Sequence, residues 1–198
     1  MVHAAIVPSR VGAVVFGASA GAIEALKQIL PRVPAATRVP IAVVVHLPPR
    51  HPSALVDIFS ACCAAPVREA QDKQPTSPGI WFAPPDYHLL FEDDRCFALS
   101  VDEPVRYSRP SIDVLFESAA RVYGKALVAV VLTGASDDGA QGARAVRDSG
   151  GFVVVQDPEA AEAAVMPRAA CERAAPQLVA TLEQIADLLS EIAASRRG

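Results

Sequence analysis

The chain has 198 residues, of which 52% are hydrophobic and 20% charged, and a formal net charge of -4. That length suits one compact core burying about 70% of the unfolded surface, so a single domain over residues 1–198 is expected, with residues 1–10 as a mobile N-terminal tail. The hydrophobic content excludes intrinsic disorder, the mild acidity offers no basic footprint for nucleic acid, and 17 Pro and 11 Gly spread through the chain argue against a coiled coil.

Val11 to Phe16 is a short apolar, β-branched run ending in Gly17-Ala18-Ser19-Ala20-Gly21. Ile23, Leu26, Ile29 and Leu30 then recur at helical spacing up to Pro31, so the segment reads as strand, tight turn, helix. Ala18-Ser19-Ala20 mimics a signal-peptidase site, but a secretory signal needs a positively charged start and only Arg10 precedes the apolar stretch. The stretch is also shorter than the roughly 20 residues a bilayer span needs, so no membrane insertion is expected. Ile41 to Val45 is a second buried strand closed by His46-Leu47-Pro48-Pro49, and Pro52 opens a helix carrying Leu55, Ile58 and Phe59. This βαβα alternation implies parallel strands joined by right-handed crossovers.

The middle changes character. Val67, Ile80 to Ala83, Leu89 to Phe91 and Cys96 to Val101 are short strand-like pieces between Pro, Asp and Gly, and they read together as an antiparallel hairpin insertion. Alternation resumes with a helix from Ser111 to Tyr123, a strongly apolar strand from Ala126 to Leu132, a loop over Gly134 to Gly139, a helix over Ala140 to Asp148 and a strand from Phe152 to Gln156. Ala160 to Ala175 is alanine-rich and featureless, and Leu182, Ile185, Leu188, Leu189 and Ile192 make a closing amphipathic helix. Cys62, Cys63, Cys96 and Cys171 include no C-x-x-C pair, which leaves a zinc site without support. A reducing cytosol fits that cysteine usage.

In open α/β sheets ligands bind beyond the carboxyl ends of the strands, so the polar residues directly after the apolar strands carry the information. Ser19 follows the first strand, His46 the second, and Asp137 and Asp138 follow the run Ala126 to Leu132. Ser, His and Asp are what nucleophilic acyl transfer requires: the imidazole takes the hydroxyl proton, and the carboxylate fixes its tautomer. Gly17 to Gly21 has G-x-S-x-G spacing, with a helix N-terminus behind it whose N–H groups can hold an oxyanion. The order Ser, His, Asp departs from the Ser, Asp, His of the α/β-hydrolases. A dinucleotide-binding glycine loop competes for the same turn, but Ser19 replaces the middle glycine and His46 stands where a ribose-binding acid belongs.

His46 taken alone reads equally as an ordinary satisfied histidine. Its strand-end position favours it over His3 and His51, with His88 in Ala83-Pro84-Pro85-Asp86-Tyr87-His88 as the runner-up base. Asp137 and Asp138 read alternatively as caps of the helix near Ala140. A Mg²⁺ site built on them would need further carboxylates on neighbouring strand ends.

Six motifs in one order give a resemblance: Gly17-Ala18-Ser19, His46-Leu47-Pro48-Pro49, Ala83 to His88, Arg109-Pro110-Ser111-Ile112-Asp113-Val114-Leu115-Phe116, Leu132 to Ala140, and Met166-Pro167-Arg168. From about Val11 to Ile192 the chain resembles the catalytic domain of the chemotaxis protein-glutamate methylesterases of the CheB type. The resemblance implies a doubly wound, mostly parallel α/β sheet with helices on both faces. It implies hydrolysis of glutamyl methyl esters on the cytoplasmic helices of methyl-accepting chemoreceptors, and in some members glutamine deamidation, with no metal and no cofactor. It assigns Ser19 as nucleophile, His46 as general base and acid, Asp138 as orienting carboxylate, the N–H groups near Ala20 and Ala135 as oxyanion donors, and Arg109 and Met166 as cleft residues. The location implied is cytoplasmic.

The chain departs from the family pattern in three places. Ala20-Gly21-Ala22 stands where Thr-Gly-Gly is usual, and Gly134-Ala135-Ser136 where Gly-Met-Gly is common, which strains the loop if Ser136 must take a positive φ. About ten residues precede the first strand, which leaves no room in this chain for the phospho-receiver domain the family commonly carries. The expectation is a stand-alone esterase or the catalytic part alone, without control by phosphorylation in cis. Two other readings stay open: a non-catalytic chemosensory adaptor, and an esterase or amidase of other acyl substrates.

Overall fold

The structure, a computed structural model, describes residues 10–46 and 54–195. The expected tail up to residue 9, Leu47 to Pro49, the helix start at Pro52, and His3 and His51 lie outside the described residues. In chain order the elements are β1 (Ala13–Ala18), α1 (Ala22–Ile29), β2 (Pro40–Val45), α2 (Leu55–Ser60), β3 (Val67–Glu69), β4 (Gly79–Phe82), β5 (His88–Phe91) and β6 (Phe97–Ser100). They continue with α3 (Ile112–Tyr123), β7 (Leu127–Val131), α4 (Ala140–Asp148), β8 (Phe152–Gln156), α5 (Val165–Ala174), β9 (Leu178–Ala180) and α6 (Leu182–Ala194).

Seven strands form one sheet in the order β3-β4-β2-β1-β7-β8-β9, and every pairing in it is parallel. The strands are continuous apolar runs because both faces of the sheet are covered. Along β1, Val14 and Phe16 enter the layer of α1, α2 and α6, while Ala13 and Val15 enter the layer of α3, α4 and α5. The same alternation along β2 sends Ile41 and Val43 to the first layer and Ala42 and Val44 to the second.

The doubly wound fold is as the sequence implied, with a correction in the middle segment. Val67–Glu69 and Gly79–Phe82 belong to the main sheet, pairing in parallel with each other and with β2. Among the described residues only the strands β5 and β6 pair antiparallel, as a hairpin. Short strand runs show a period but not a partner; here Ile80 and Phe82 fill one layer and Trp81 the other, which requires a sheet covered on both sides. Two elements carry no sequence signal of their own. The plain alanine stretch contains α5, where alanine propensity suffices and Pro167 in the first turn forfeits only an N–H the helix leaves unpaired. The edge strand β9 has just three residues.

The chain winds outward from β1 to β2 and β4, then returns to β7 on the other side of β1, so the strand order reverses between β1 and β7. A crevice opens beyond the carboxyl ends at such a reversal. Helix α3 reaches this edge because Ile112, its first residue, wedges between two glycines. A Cβ on Gly17 would stand 2.2 Å from Ile112 Cγ2, and one on Gly139, whose φ is 93°, would stand 2.7 Å from the same methyl. The methyl belongs to a stiff β-branched side chain with no exposure, so it cannot swing aside. Gly17→Ala is therefore expected to lower stability by about 1–3 kcal/mol through overpacking. Denaturant unfolding measures this, and a midpoint equal to that of the parent chain would contradict the wedge.

Candidate active site

β1 and β2 run in register with Ala18 opposite Val45, and the His46 N–H donates to the Ala18 carbonyl at 3.1 Å. Ser19 and His46 are therefore neighbours on the carboxyl edge, each the first residue past its strand. Asp138 comes from the loop between β7 and α4 and meets the imidazole directly, with His46 Nε2 2.8 Å from Asp138 Oδ2. Of the three strand-end residues, the structure joins His46 to Asp138 by a hydrogen bond and sets Ser19 alongside. Among the described residues no hydrogen bond links the Ser19 hydroxyl to His46.

Asp138 is fully buried and accepts four bonds from the described residues. Oδ1 takes the Ser111 hydroxyl at 2.9 Å and the Asp113 N–H at 3.0 Å; Oδ2 takes His46 and the Ile112 N–H at 2.7 Å. Those N–H groups open α3, so the carboxylate sits on a helix N-terminus that favours negative charge. Burial pushes the Asp138 carboxyl up, but the bonds from His46, Ile112 and Asp113 outweigh it and hold the group below its ordinary range. An ionised carboxylate only accepts, so Nε2 of His46 carries the proton and Nδ1 presents its lone pair.

Asp138 was also read as a cap for the helix near Ala140; it caps α3 instead. The N-terminus of α4 is held by Asp113, whose Oδ1 accepts from the N–H groups of Gly139 at 2.9 Å and Gly142 at 2.7 Å. The two helices thus exchange aspartates. Arg106 joins the exchange, its Nε 3.2 Å from Asp113 Oδ2 and its guanidinium also bonded to Asp137. Burial and the neighbouring Asp138 push the Asp113 carboxyl above its ordinary range, against the backbone bond from Gly142 and the Arg106 guanidinium.

The turns after β1 and β7 are stitched together by Thr133. Its carbonyl accepts from Ser19 N at 2.9 Å, and its hydroxyl donates to the Ala20 carbonyl at 2.8 Å and accepts from Ala163 N at 2.9 Å. Its own N–H is taken by the buried Gln156 side chain at 2.8 Å. Ala20 and Ala135 stand exposed on these two turns, and among the described residues no acceptor takes either N–H. Sequence reasoning singled out neither Thr133, Gln156 nor Asp113; the signal for Gln156 was a polar residue closing an apolar strand, and for Asp113 an acid in the first turn of a helix.

Other expectations resolve plainly. Met166 is fully buried beneath Gly134, where it supports the loop and lines no open surface. Arg109 reaches the carbonyls of Val101 at 2.9 Å and Asp102 at 3.1 Å. His88, the runner-up base, is buried with both ring nitrogens engaged: Nδ1 accepts from Ser111 N at 3.1 Å and Nε2 lies 3.2 Å from the Glu103 carbonyl. It braces the start of α3. Ser136 does not have a positive φ, so the expected strain at that position does not arise. Among the described residues no group of three or more His, Cys, Asp or Glu is arranged to hold a metal ion.

The exchanged aspartates make stability depend on pH with a definite sign. Asp138, whose carboxyl is depressed on folding, adds stability above an ordinary carboxylate pKa of about 4, and this is lost as pH falls through its lower folded value. Asp113, raised on folding, acts in the opposite sense, and its cost fades as pH falls. Asp138→Ala leaves the buried donors of Ile112, Asp113 and Ser111 unpaired and is expected to cost about 2–4 kcal/mol at pH 7. The gap from the parent should narrow below about pH 4. Urea unfolding across that range checks it; a gap that stays constant with pH would show that the carboxylate charge is not the source.

Comparison with known proteins follows the same geometry. The CheB methylesterase family matches residues 14–189. A Leptospira interrogans protein, named provisionally for protein-glutamate methylesterase and protein-glutamine glutaminase activity, is 46% identical over 177 residues, covering 89% of this chain and 92% of its own. The protein-glutamate methylesterase/protein-glutamine glutaminase of Symbiobacterium thermophilum is 36% identical over 178 residues, and there the chain spans 49% of the relative's length. The crystal structure of the Thermotoga maritima CheB methylesterase catalytic domain superposes with a TM-score of 0.87 at 31% identity, covering 92% of this chain and 98% of that one. The chain belongs to the CheB methylesterase family.

Proposed function

We propose that this chain hydrolyses γ-glutamyl methyl esters on the cytoplasmic helices of methyl-accepting chemoreceptors, by an acyl-enzyme route through Ser19. The single observation that carries the reading is the contact between His46 Nε2 and the four-bonded carboxylate of Asp138, placed beside Ser19 on the carboxyl edge. With Nε2–H given to Asp138, Nδ1 is the base that takes the Ser19 hydroxyl proton as Oγ bonds to the ester carbon. The contact between Ser19 and Nδ1 forms with substrate in place, as catalytic hydrogen bonds in empty sites commonly do. The developing oxyanion turns to the free N–H groups of Ala20 and Ala135. Methanol leaves with the proton from Nδ1, and water then repeats the sequence on the acyl-enzyme to release glutamate and Ser19.

Asp138 serves by fixing the tautomer and stabilising the imidazolium, and the bonds that hold it below its ordinary range keep it ionised while it does so. The relatives named for glutaminase activity as well extend the proposal to deamidation of receptor glutamine, with ammonia as the leaving group. Among the described residues no helix is long and apolar enough to cross a membrane, and the reaction is assigned to the cytoplasm with the receptor helices it acts on. The proposal keeps Arg109 as a cleft residue, while Met166, buried beneath Gly134, acts through that loop.

Methanol release from methylated chemoreceptor is the direct test. Ser19→Ala and His46→Ala are each expected to lower it by at least about 1,000-fold, because such residues act as a unit. Release that persists in Ser19→Ala would overturn the nucleophile, and a wild-type chain that releases none would overturn the substrate.

A further inference from the structure

Nδ1 of His46 has a second hydroxyl beside it. Ser108 Oγ lies 3.4 Å from Nδ1, on the nitrogen that Asp138 leaves open. Ser108 closes a tight turn in which Val105 and Ser108 exchange backbone bonds of 3.1 and 2.9 Å. Both central residues, Arg106 at φ 49° and Tyr107 at φ 63°, are left-handed without being glycine, a conformation that persists only where surroundings enforce it. Arg106 supplies the enforcement by bonding to Asp113 and Asp137. Asp113 in turn holds the start of α4, just beyond Asp138. The turn does not serve to bury Tyr107, whose side chain stands fully in solvent. What it delivers inward is Ser108.

Building on the methylesterase reading, we propose that Ser108 is a positioning residue for His46. Its hydroxyl holds Nδ1 at the level of Ser19, donating to the neutral ring and accepting from the ring once that has taken the Ser19 proton. A hydroxyl can serve both states because it is donor and acceptor at once. At 3.4 Å the resting bond is weak, so it yields to Ser19 when substrate arrives; the accepted bond from the imidazolium is charge-assisted and stronger. Among the described residues the charged groups around the ring are Asp138 at Nε2 and, behind the Ser108 turn, Arg106, Asp113 and Asp137.

The test compares Ser108→Ala and Ser108→Thr in the full chain, using methanol release from methylated receptor and the NMR titration of His46 without substrate. Ser108→Ala is expected to lower kcat by about 3- to 10-fold, the worth of one hydrogen bond, with KM within about twofold. The acid limb of kcat/KM and the His46 titration should both move to lower pH, since the stronger of the two bonds is lost from the protonated ring. Threonine should restore both. Unchanged kinetics and titration in Ser108→Ala, or a threonine variant as impaired as the alanine one, would overturn the proposal. A phosphonate adduct on Ser108 in Ser19→Ala would also overturn it, by making Ser108 the nucleophile. The titration separates the two readings: a shift in Ser108→Ala, found together with a wild-type chain that releases no methanol, leaves the Ser108 contact standing and removes the esterase assignment.

Discussion

Asp138 is a fully buried carboxylate that takes four hydrogen bonds, and the source of those bonds decides how the carboxyl edge is built. Three come from the N-cap Ser111 and the first two residues of α3, so the group that orients His46 also completes a helix terminus. A buried charge with fewer partners would neutralise itself by taking a proton. Here the helix N-terminus favours the ionised form, and the imidazole receives an acceptor that stays charged.

The geometry of that terminus depends in turn on close packing. Ile112 descends between Gly17 and Gly139 until its N–H reaches Asp138, and any added carbon on either glycine would lift it away. Gly17 lies at the end of the strand that carries Ser19, and Gly139 follows Asp138 directly. The packing contact and the chemical contact therefore share residues. The reciprocal bond from Asp113 to α4 ties the second helix to the same point, so α3 and α4 are fixed to each other by charge as well as by their apolar faces.

Much of this was legible in the sequence, for reasons that differ by residue. Ser19 and His46 stood out because a parallel α/β sheet sends chemistry to strand ends; the same rule left Asp137 and Asp138 both open after a strongly apolar strand, and only the resemblance chose Asp138. Strands β3 and β4 were misassigned because a four-residue run such as Gly79–Phe82 states its burial and not its partner. Helix α5 went unread because alanine supports a helix without marking a face. The partners of Asp113, Thr133 and Ser108 were illegible for another reason: each acts on a residue distant in sequence, Asp113 on Gly139 and Gly142, Thr133 on Ala20 and Ala163, Ser108 on His46. No local period encodes such a bond.

The departures from the family pattern around Ser19 and Ser136 differ in their surroundings: Ala20 and Ala135 stand exposed, whereas Ala22 is packed in the core and the Ser136 hydroxyl is buried without a hydrogen-bond partner among the described residues. The oxyanion donors we propose are the backbone N–H groups of Ala20 and Ala135, and a backbone donor is indifferent to the side chain it carries so long as its turn holds shape. Thr133 secures that shape from outside, with its carbonyl on Ser19 N and its hydroxyl bridging Ala20 and Ala163, while Gln156 holds Thr133 itself. Ser136 avoids the left-handed region, so the Gly134 loop accepts it without backbone strain. Gly134 itself is a different case, because Met166 fills the space beneath it to within 2.6 Å of where a Cβ would be. In these two turns the bonds of Thr133 and the packing of Met166 under Gly134 hold the backbone, and the exposed Ala20 and Ala135 take their positions from that scaffold and not from their own side chains.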